Sequence, residues 1–318
     1  MGGGGGAPLS TARGHRDRRP ARGGRARRGG PARGRGHAAG RGRGSVRYVT
    51  ATDGTLIAYD RFGRRDGPPL LLVQGLGTDS RGWALQRIAL GRRYRCLAVD
   101  NRGVGGSTNA PHPFDLEQMA RDVVSVLDAE EVAAAHVLGA SMGGAIGQIL
   151  AVRHGERVRG LVLACTACRH HEWRRELLAE WAAAVRTRGM SAMSGDGMRW
   201  LVGPRFHRRF GPWINLLGRL VLQGEPEHFA AQVDAILALS DDVRFELAGV
   251  DAPTLVITGS QDMLTPFGDA EELAEMIPGA RLRELRGAAH GLMVEQPNAF
   301  NRSVLEFLAD VDARAAIR

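Results

Sequence analysis

The hydrophobic positions along this chain fall into two regimes. From Ser45 to Cys165, short apolar runs alternate with segments of helical spacing. Residues 46–50 and 55–62 flank Asp53-Gly54, the pattern of a β-hairpin. Residues 70–73 are a short continuous apolar run, which is how a buried parallel strand reads, and 94–99, 133–138 and 158–165 are further strand-like, largely apolar runs. Between these runs, 80–90, 114–127 and 145–153 carry helical spacing. In 114–127, Leu116, Met119, Val123, Val126 and Leu127 share one face. Over 166–246 the alternation stops, and the stretch reads as several helices interrupted at Gly203-Pro204 and Gly211-Pro212. The first pattern then resumes, with strands at 254–258 and 280–285 and helices at 266–277 and 297–308. Strands alternating with helices predict an α/β fold, a mostly parallel sheet flanked by helices. The interruption predicts an inserted helical cap, 166–246, on a core made of 45–165 and 247–318.

Charge changes the picture at one end only. The net charge is +9, and all 43 basic residues besides histidine are arginine. Residues 1–44 hold twelve Arg and one Asp, so the remainder is close to neutral. This Gly/Arg/Ala/Pro segment has little to bury and is expected to be disordered. It has twin arginines but no apolar run, so it does not read as an export signal. Charge alone lets such a tail hold RNA or other polyanions. No aromatic residue interleaves the arginines to stack on bases, which favours a dispensable extension or a misassigned start, and no specific nucleic-acid partner is expected. No apolar run approaches a membrane span, so no membrane partner is expected. Cys96, Cys165 and Cys168, in a chain with no secretory signal, point to reduced thiols and a cytoplasmic location. Cys165-x-x-Cys168 lacks a second pair and reads as core packing. His170-His171, followed by Glu172, has no suitably spaced residue to complete a metal site, so no metal and no cofactor are expected.

The chemistry is concentrated in three turns. Gly139-Ala140-Ser141-Met142-Gly143 lies between a predicted strand and a predicted helix, the G-x-S-x-G elbow. Its glycines let strand and helix approach closely, and the helix that follows directs its positive end at the serine. Asp262 follows the strand at 254–258, and His290 follows the strand at 280–285. In an open parallel sheet, the loops after the strands meet along one edge. Serine, aspartate and histidine are therefore expected at one place, in the order Ser…Asp…His.

Two further motifs accompany them, Gln74-Gly75-Leu76-Gly77 and Asp100-Asn101-Arg102-Gly103 with Gly105 and Ser107. Together with Gly259-x-x-Asp262 and Gly287-x-x-His290-Gly291, they make the chain resemble the serine-nucleophile branch of the α/β-hydrolase fold superfamily, across residues 45–318. The resemblance implies Ser141 as nucleophile, His290 as general base and Asp262 as the group orienting it. It implies an oxyanion hole from the backbone N–H groups of Leu76 and Met142. Where relatives usually carry His-Gly before that loop, this chain has Gln74-Gly75. Asp100 and Arg102 read as structural, bracing the neighbouring turn. The expected reaction is cleavage of a small-to-medium, apolar ester or lactone through an acyl-enzyme, as in enol-lactonase- and carboxylesterase-like hydrolases. A cofactor-free haloperoxidase-like perhydrolase, a carbon–carbon bond hydrolase and a non-catalytic binding protein are the alternatives on the same scaffold. Trp173, Trp181, Trp200 and Trp213 in the cap, with Trp83 near the oxyanion loop, are the candidates for an apolar substrate pocket.

Overall fold

The computed structural model describes residues 46–107, 110–193, 196–211, 225–240 and 242–317, together with residue 2. The arginine-rich tail and Trp213 lie outside the described residues. Eight strands form one sheet: β1 (Val46–Thr50), β2 (Leu56–Gly63), β3 (Pro69–Val73), β4 (Arg95–Val99), β5 (Ala135–Ala140), β6 (Val158–Ala164), β7 (Thr254–Gly259) and β8 (Arg281–Leu285). Their spatial order is β1-β2-β4-β3-β5-β6-β7-β8. β1 pairs antiparallel with β2, and β2 with β4; every later pairing is parallel. Thr50 sits opposite Leu56 across Asp53-Gly54, so the expected hairpin is present.

The apolar runs become the middle of this sheet because both of its faces are covered. Successive side chains of a strand point to opposite faces. Leu71 and Val73 accordingly join one buried cluster with Val137, Ile146 and Ile149, while Leu70 and Leu72 join another with Leu138, Phe300 and Leu308. Each such side chain contributes about 1.5–3 kcal/mol on burial.

The helices are α1 (Arg87–Gly91), α2 (Leu116–Ala129), α3 (Met142–Arg153), α4 (Glu172–Arg188), α5 (Asp196–Leu201), α6 (Pro226–Leu237), α7 (Asp242–Glu246), α8 (Phe267–Met276), α9 (Leu292–Glu295) and α10 (Pro297–Ile317). Residues 204–211 are also helical. α2 starts where Asp115 accepts a hydrogen bond from the Gln118 N–H at 2.6 Å, and α6 starts with proline in its first turn. The helix expected over 80–90 is instead a 3₁₀ turn, Ser80–Trp83, followed by the short α1. Asp79 caps that turn through the Arg81 N–H, and Trp83, with no exposed surface, anchors it in the core. The elements described between β6 and β7 are all helical, α4 to α7 with short 3₁₀ turns among them, joined by loops. Among the described residues, no helix is long and apolar enough to cross a membrane.

Candidate active site

Strand β5 runs directly into α3 through Ser141, whose backbone has φ +54° and ψ −119°. This is left-handed territory for a residue with a β-carbon, and such strain costs of order 1–3 kcal/mol. The surrounding fold leaves no other path. A β-carbon on Gly139 would lie 2.2 Å from the Gly143 carbonyl oxygen, and one on Gly143 would lie 2.2 Å from that of Val73. The Ser141 N–H donates to Ala164 O at 2.9 Å, and the Thr166 hydroxyl donates to Ser141 O at 2.8 Å, so both sides of the turn are tied to β6 and its loop.

β7 and β8 lie beyond β6 in the same parallel array, so the loops after them open on the same edge. There, His290 Nε2 stands 2.9 Å from Ser141 Oγ, and His290 Nδ1 stands 2.9 Å from Asp262 Oδ2. Asp262 is itself held from several directions. Its Oδ1 accepts from the N–H groups of Leu264 and Thr265, both at 2.9 Å, and its Oδ2 accepts from the Thr265 hydroxyl at 2.7 Å. A carboxylate with no donor of its own assigns the proton to Nδ1, which leaves Nε2 as the acceptor facing the serine hydroxyl.

These groups open on a cavity of about 410 Å3, at the small end of the range for ligand pockets. Leu76 and Met142 both line it. Among the described residues, neither of their N–H groups donates to a protein acceptor. Gln74 occupies the position expected for it: its Oε1 accepts from the Gly75 N–H at 3.2 Å, and the Asn101 side chain donates to its carbonyl at 2.9 Å.

Comparison with known proteins now bears on this geometry. Residues 70–303 match the model of the alpha/beta hydrolase family. The chain belongs to that family. It is 33% identical over 260 residues to a 3-oxoadipate enol-lactonase of Acinetobacter baylyi, covering 80% of this chain and 94% of that one. Among solved structures, it is similar to an enol-lactonase of Burkholderia xenovorans, with a TM-score of 0.77 and 34% identity over 83% of this chain and 100% of the other. It is also similar to a thermophilic esterase of Thermogutta terrifontis, with a TM-score of 0.77 and 27% identity over 84% and 99% of the two chains. Its place among such relatives makes it an enzyme of the class that hydrolyses ester-type bonds.

In this α/β hydrolase, the aromatic lining differs from the sequence expectation. Trp181 lines the cavity. Trp83 does not: it is fully buried among Leu70, Leu72 and Leu90, since the 3₁₀ turn carries it into the core. Trp173 and Trp200 stack on each other, with ring centroids 6.2 Å apart, and neither is among the residues that line the cavity. The apolar wall is built instead from Leu178, Met193, Val202, Phe206, Phe229 and Ile236.

Several polar residues that sequence reading passes over are tied to the site. Gln232 of α6 has no exposed surface. Its Oε1 accepts from the Gly77 N–H and its Nε2 donates to Arg102 O, both at 2.8 Å. It thereby pins the turn that presents Leu76. No local signal marks it: a single glutamine in an amphipathic helix reads as a solvated position. Asp100 accepts from the N–H groups of Ser80 and Gly106, both at 2.8 Å. Buried Arg102 pairs with Asp122 at 2.7 Å and with Asp53 at 2.9 Å. Both are braces, as read from the sequence.

The cavity wall also contains His170 and Arg174. Arg174 is engaged: Nε donates to Leu264 O at 2.7 Å, Nη1 to Arg169 O at 2.9 Å, and Nη2 pairs with Asp269. His170 Nδ1 is buried without a partner. Burial, reinforced by the charges of Arg174 and Arg175, pushes its pKa down to about 4. Folding brings Asp269 and Glu272 of α8 to His171, with ligand atoms within 4.8 Å of one another, a grouping the local spacing does not reveal. Arg174 faces Asp269, and Arg169 and Arg244 face Glu272. Three guanidinium groups around two carboxylates oppose the entry of a further cation.

Proposed function

We propose that this protein is a serine hydrolase that cleaves small-to-medium, apolar esters or lactones through an acyl-enzyme. The observation that carries this reading is the unbroken chain Ser141 Oγ to His290 to Asp262 at the floor of an apolar cavity. His290 takes the Ser141 proton as the oxygen attacks the carbonyl carbon. It then returns that proton to the leaving oxygen, and the same imidazole activates water to release the acid. Asp262 holds the tautomer and stabilises the imidazolium that forms. The Leu76 and Met142 N–H groups, beside the start of α3, receive the oxyanion. Each donor of this kind is worth about 3–4 kcal/mol in the transition state. Residues 166–246 act as a cap, covering the site and supplying its apolar wall.

The cavity chemistry supports a neutral acyl group. Among the described lining residues, Arg174 is the one guanidinium, and it is paired. Its engagement leaves little to stabilise a substrate carboxylate in an apolar pocket.

Labelling with a fluorophosphonate probe, alongside Ser141→Ala, tests the nucleophile. Wild type is expected to label and the variant not to. Unlabelled wild type, or equal labelling of the variant, removes the hydrolase reading. A panel of p-nitrophenyl esters, lactones and methyl esters then tests the substrate class, with short and medium acyl chains expected to be preferred over long ones. Peroxide-dependent turnover without ester cleavage would favour the perhydrolase alternative.

A further inference from the structure

Leu201 and Val202 form part of the cavity wall, and with Gly203 they are joined to the loop that carries His290. The Gly291 N–H donates to Leu201 O at 2.6 Å. Glu295, the last residue of α9, spans the same seam. Its Oε1 accepts from the Ala289 N–H at 3.0 Å, and its Oε2 accepts from the Gly203 N–H at 3.2 Å. Ala289 is the immediate neighbour of His290, and both Ala289 and Gly203 are buried. The fit is close on both sides. A β-carbon on Gly203 would lie 2.9 Å from Glu295 Oε2, and one on Gly291 would lie 2.9 Å from Leu201 O.

Glu295 is half-buried, and among the described residues no arginine pairs with it. Burial raises its carboxyl above the usual range, against the pull of the two backbone N–H groups. A partly desolvated carboxylate costs free energy unless its hydrogen bonds compensate, and here those bonds go to one residue of the base loop and one of the cavity wall.

We infer that Glu295 is a positioning residue: its single carboxylate holds the loop of His290 and the wall of the acyl cavity in one arrangement. Base placement and acyl-chain discrimination are then coupled through one side chain. The inference rests on the reading of His290 as general base.

The full-length enzyme is assayed with p-nitrophenyl acetate and hexanoate, with rates expressed per serine labelled by fluorophosphonate so that misfolded protein does not count. Glu295→Ala removes both acceptors. Glu295→Gln keeps one and turns an amide N–H toward the other backbone N–H. Leaving a buried N–H unpaired corresponds to a factor of about five or more. Glu295→Ala is therefore expected to lower kcat on acetate about tenfold and to change the hexanoate-to-acetate ratio of kcat/KM by about fivefold or more, with Glu295→Gln in between. Gly203→Ala, which pushes the wall off the carboxylate and leaves the Ala289 bond in place, is expected to move the ratio more than the acetate turnover. Per-site rates and a ratio equal to wild type in Glu295→Ala overturn the inference. So does an equal fall on both substrates, which marks a role in the loop alone. If neither Glu295 variant folds, an unchanged ratio in Gly203→Ala overturns it. Failure of the underlying reading is separate: wild type would not label, or Ser141→Ala would label equally.

Discussion

Gln232→Met tests whether the oxyanion turn is held from the helical insertion. The substitution keeps length and apolar bulk and removes both polar ends of a side chain with no exposed surface. The Gly77 N–H and the Arg102 carbonyl, each bonded to Gln232 at 2.8 Å, are then left without that partner in buried surroundings. A buried unpaired group costs about 1–3 kcal/mol, so the two together cost about 2–6 kcal/mol of stability. Gly77 also follows Leu76, whose N–H is the proposed oxyanion donor. A turn free to drift should lose part of that interaction, and complete loss of one such donor costs about 10²–10³ in kcat. The expected outcome in urea unfolding is a lowered midpoint with an unchanged slope. Turnover of a short p-nitrophenyl ester should fall about ten- to hundredfold in kcat, with KM changed far less. An unfolding free energy within about 0.5 kcal/mol of wild type, with kcat unaltered, refutes the reasoning. Lowered stability with unaltered kcat would show that Gln232 supports the fold but not the oxyanion turn.

Two further outcomes follow from the same structure. Asp262→Asn places an amide donor against His290 Nδ1, so the ring takes the other tautomer and Nε2 can no longer accept from Ser141. kcat should fall about 10⁴-fold with the unfolding midpoint little changed, and retention of a tenth of the activity would argue against the assigned tautomer. His170, held at about 4 by burial, is neutral in the fold at pH values where the unfolded chain protonates it. Its effect on stability is absent above the unfolded value near 6.5, grows as the pH falls and is complete below about 4, reaching about 3 kcal/mol. His170→Gln should flatten this part of the acid unfolding curve; parallel curves for the two proteins would show that His170 does not contribute.

Much of this architecture is written locally. The apolar runs lie within a residue or two of β3 to β7 because a central strand must be apolar on both faces to be covered on both. The elbow is legible for a steric reason: only glycine fits at 139 and 143, where a β-carbon would lie 2.2 Å from a backbone carbonyl oxygen. α3 begins at Met142, ahead of the apolar pattern that starts at 145, because Gly143 and Gly144 belong to the helix but show no hydrophobic period. Three of the tryptophans, Trp83, Trp173 and Trp200, misled for the opposite reason. Size and apolarity say that an indole will be covered but not by what, and packing sent Trp83 into the core and paired Trp173 with Trp200.

The sequence by itself determined the α/β order of elements, the elbow, and the succession Ser141, Asp262, His290, because periodicity, glycine sterics and strand-end loops are properties of neighbouring residues. Only the tertiary structure decided what supports these groups. Gln232 reaches the turn of Leu76 and Gly77 from α6, Glu295 joins the histidine loop to Gly203, and Arg169, Arg174 and Arg244 occupy the carboxylates beside His171. Each is a polar contact between segments remote along the chain. Its strength depends on distance and burial in the folded state, and neither quantity exists until the chain has folded.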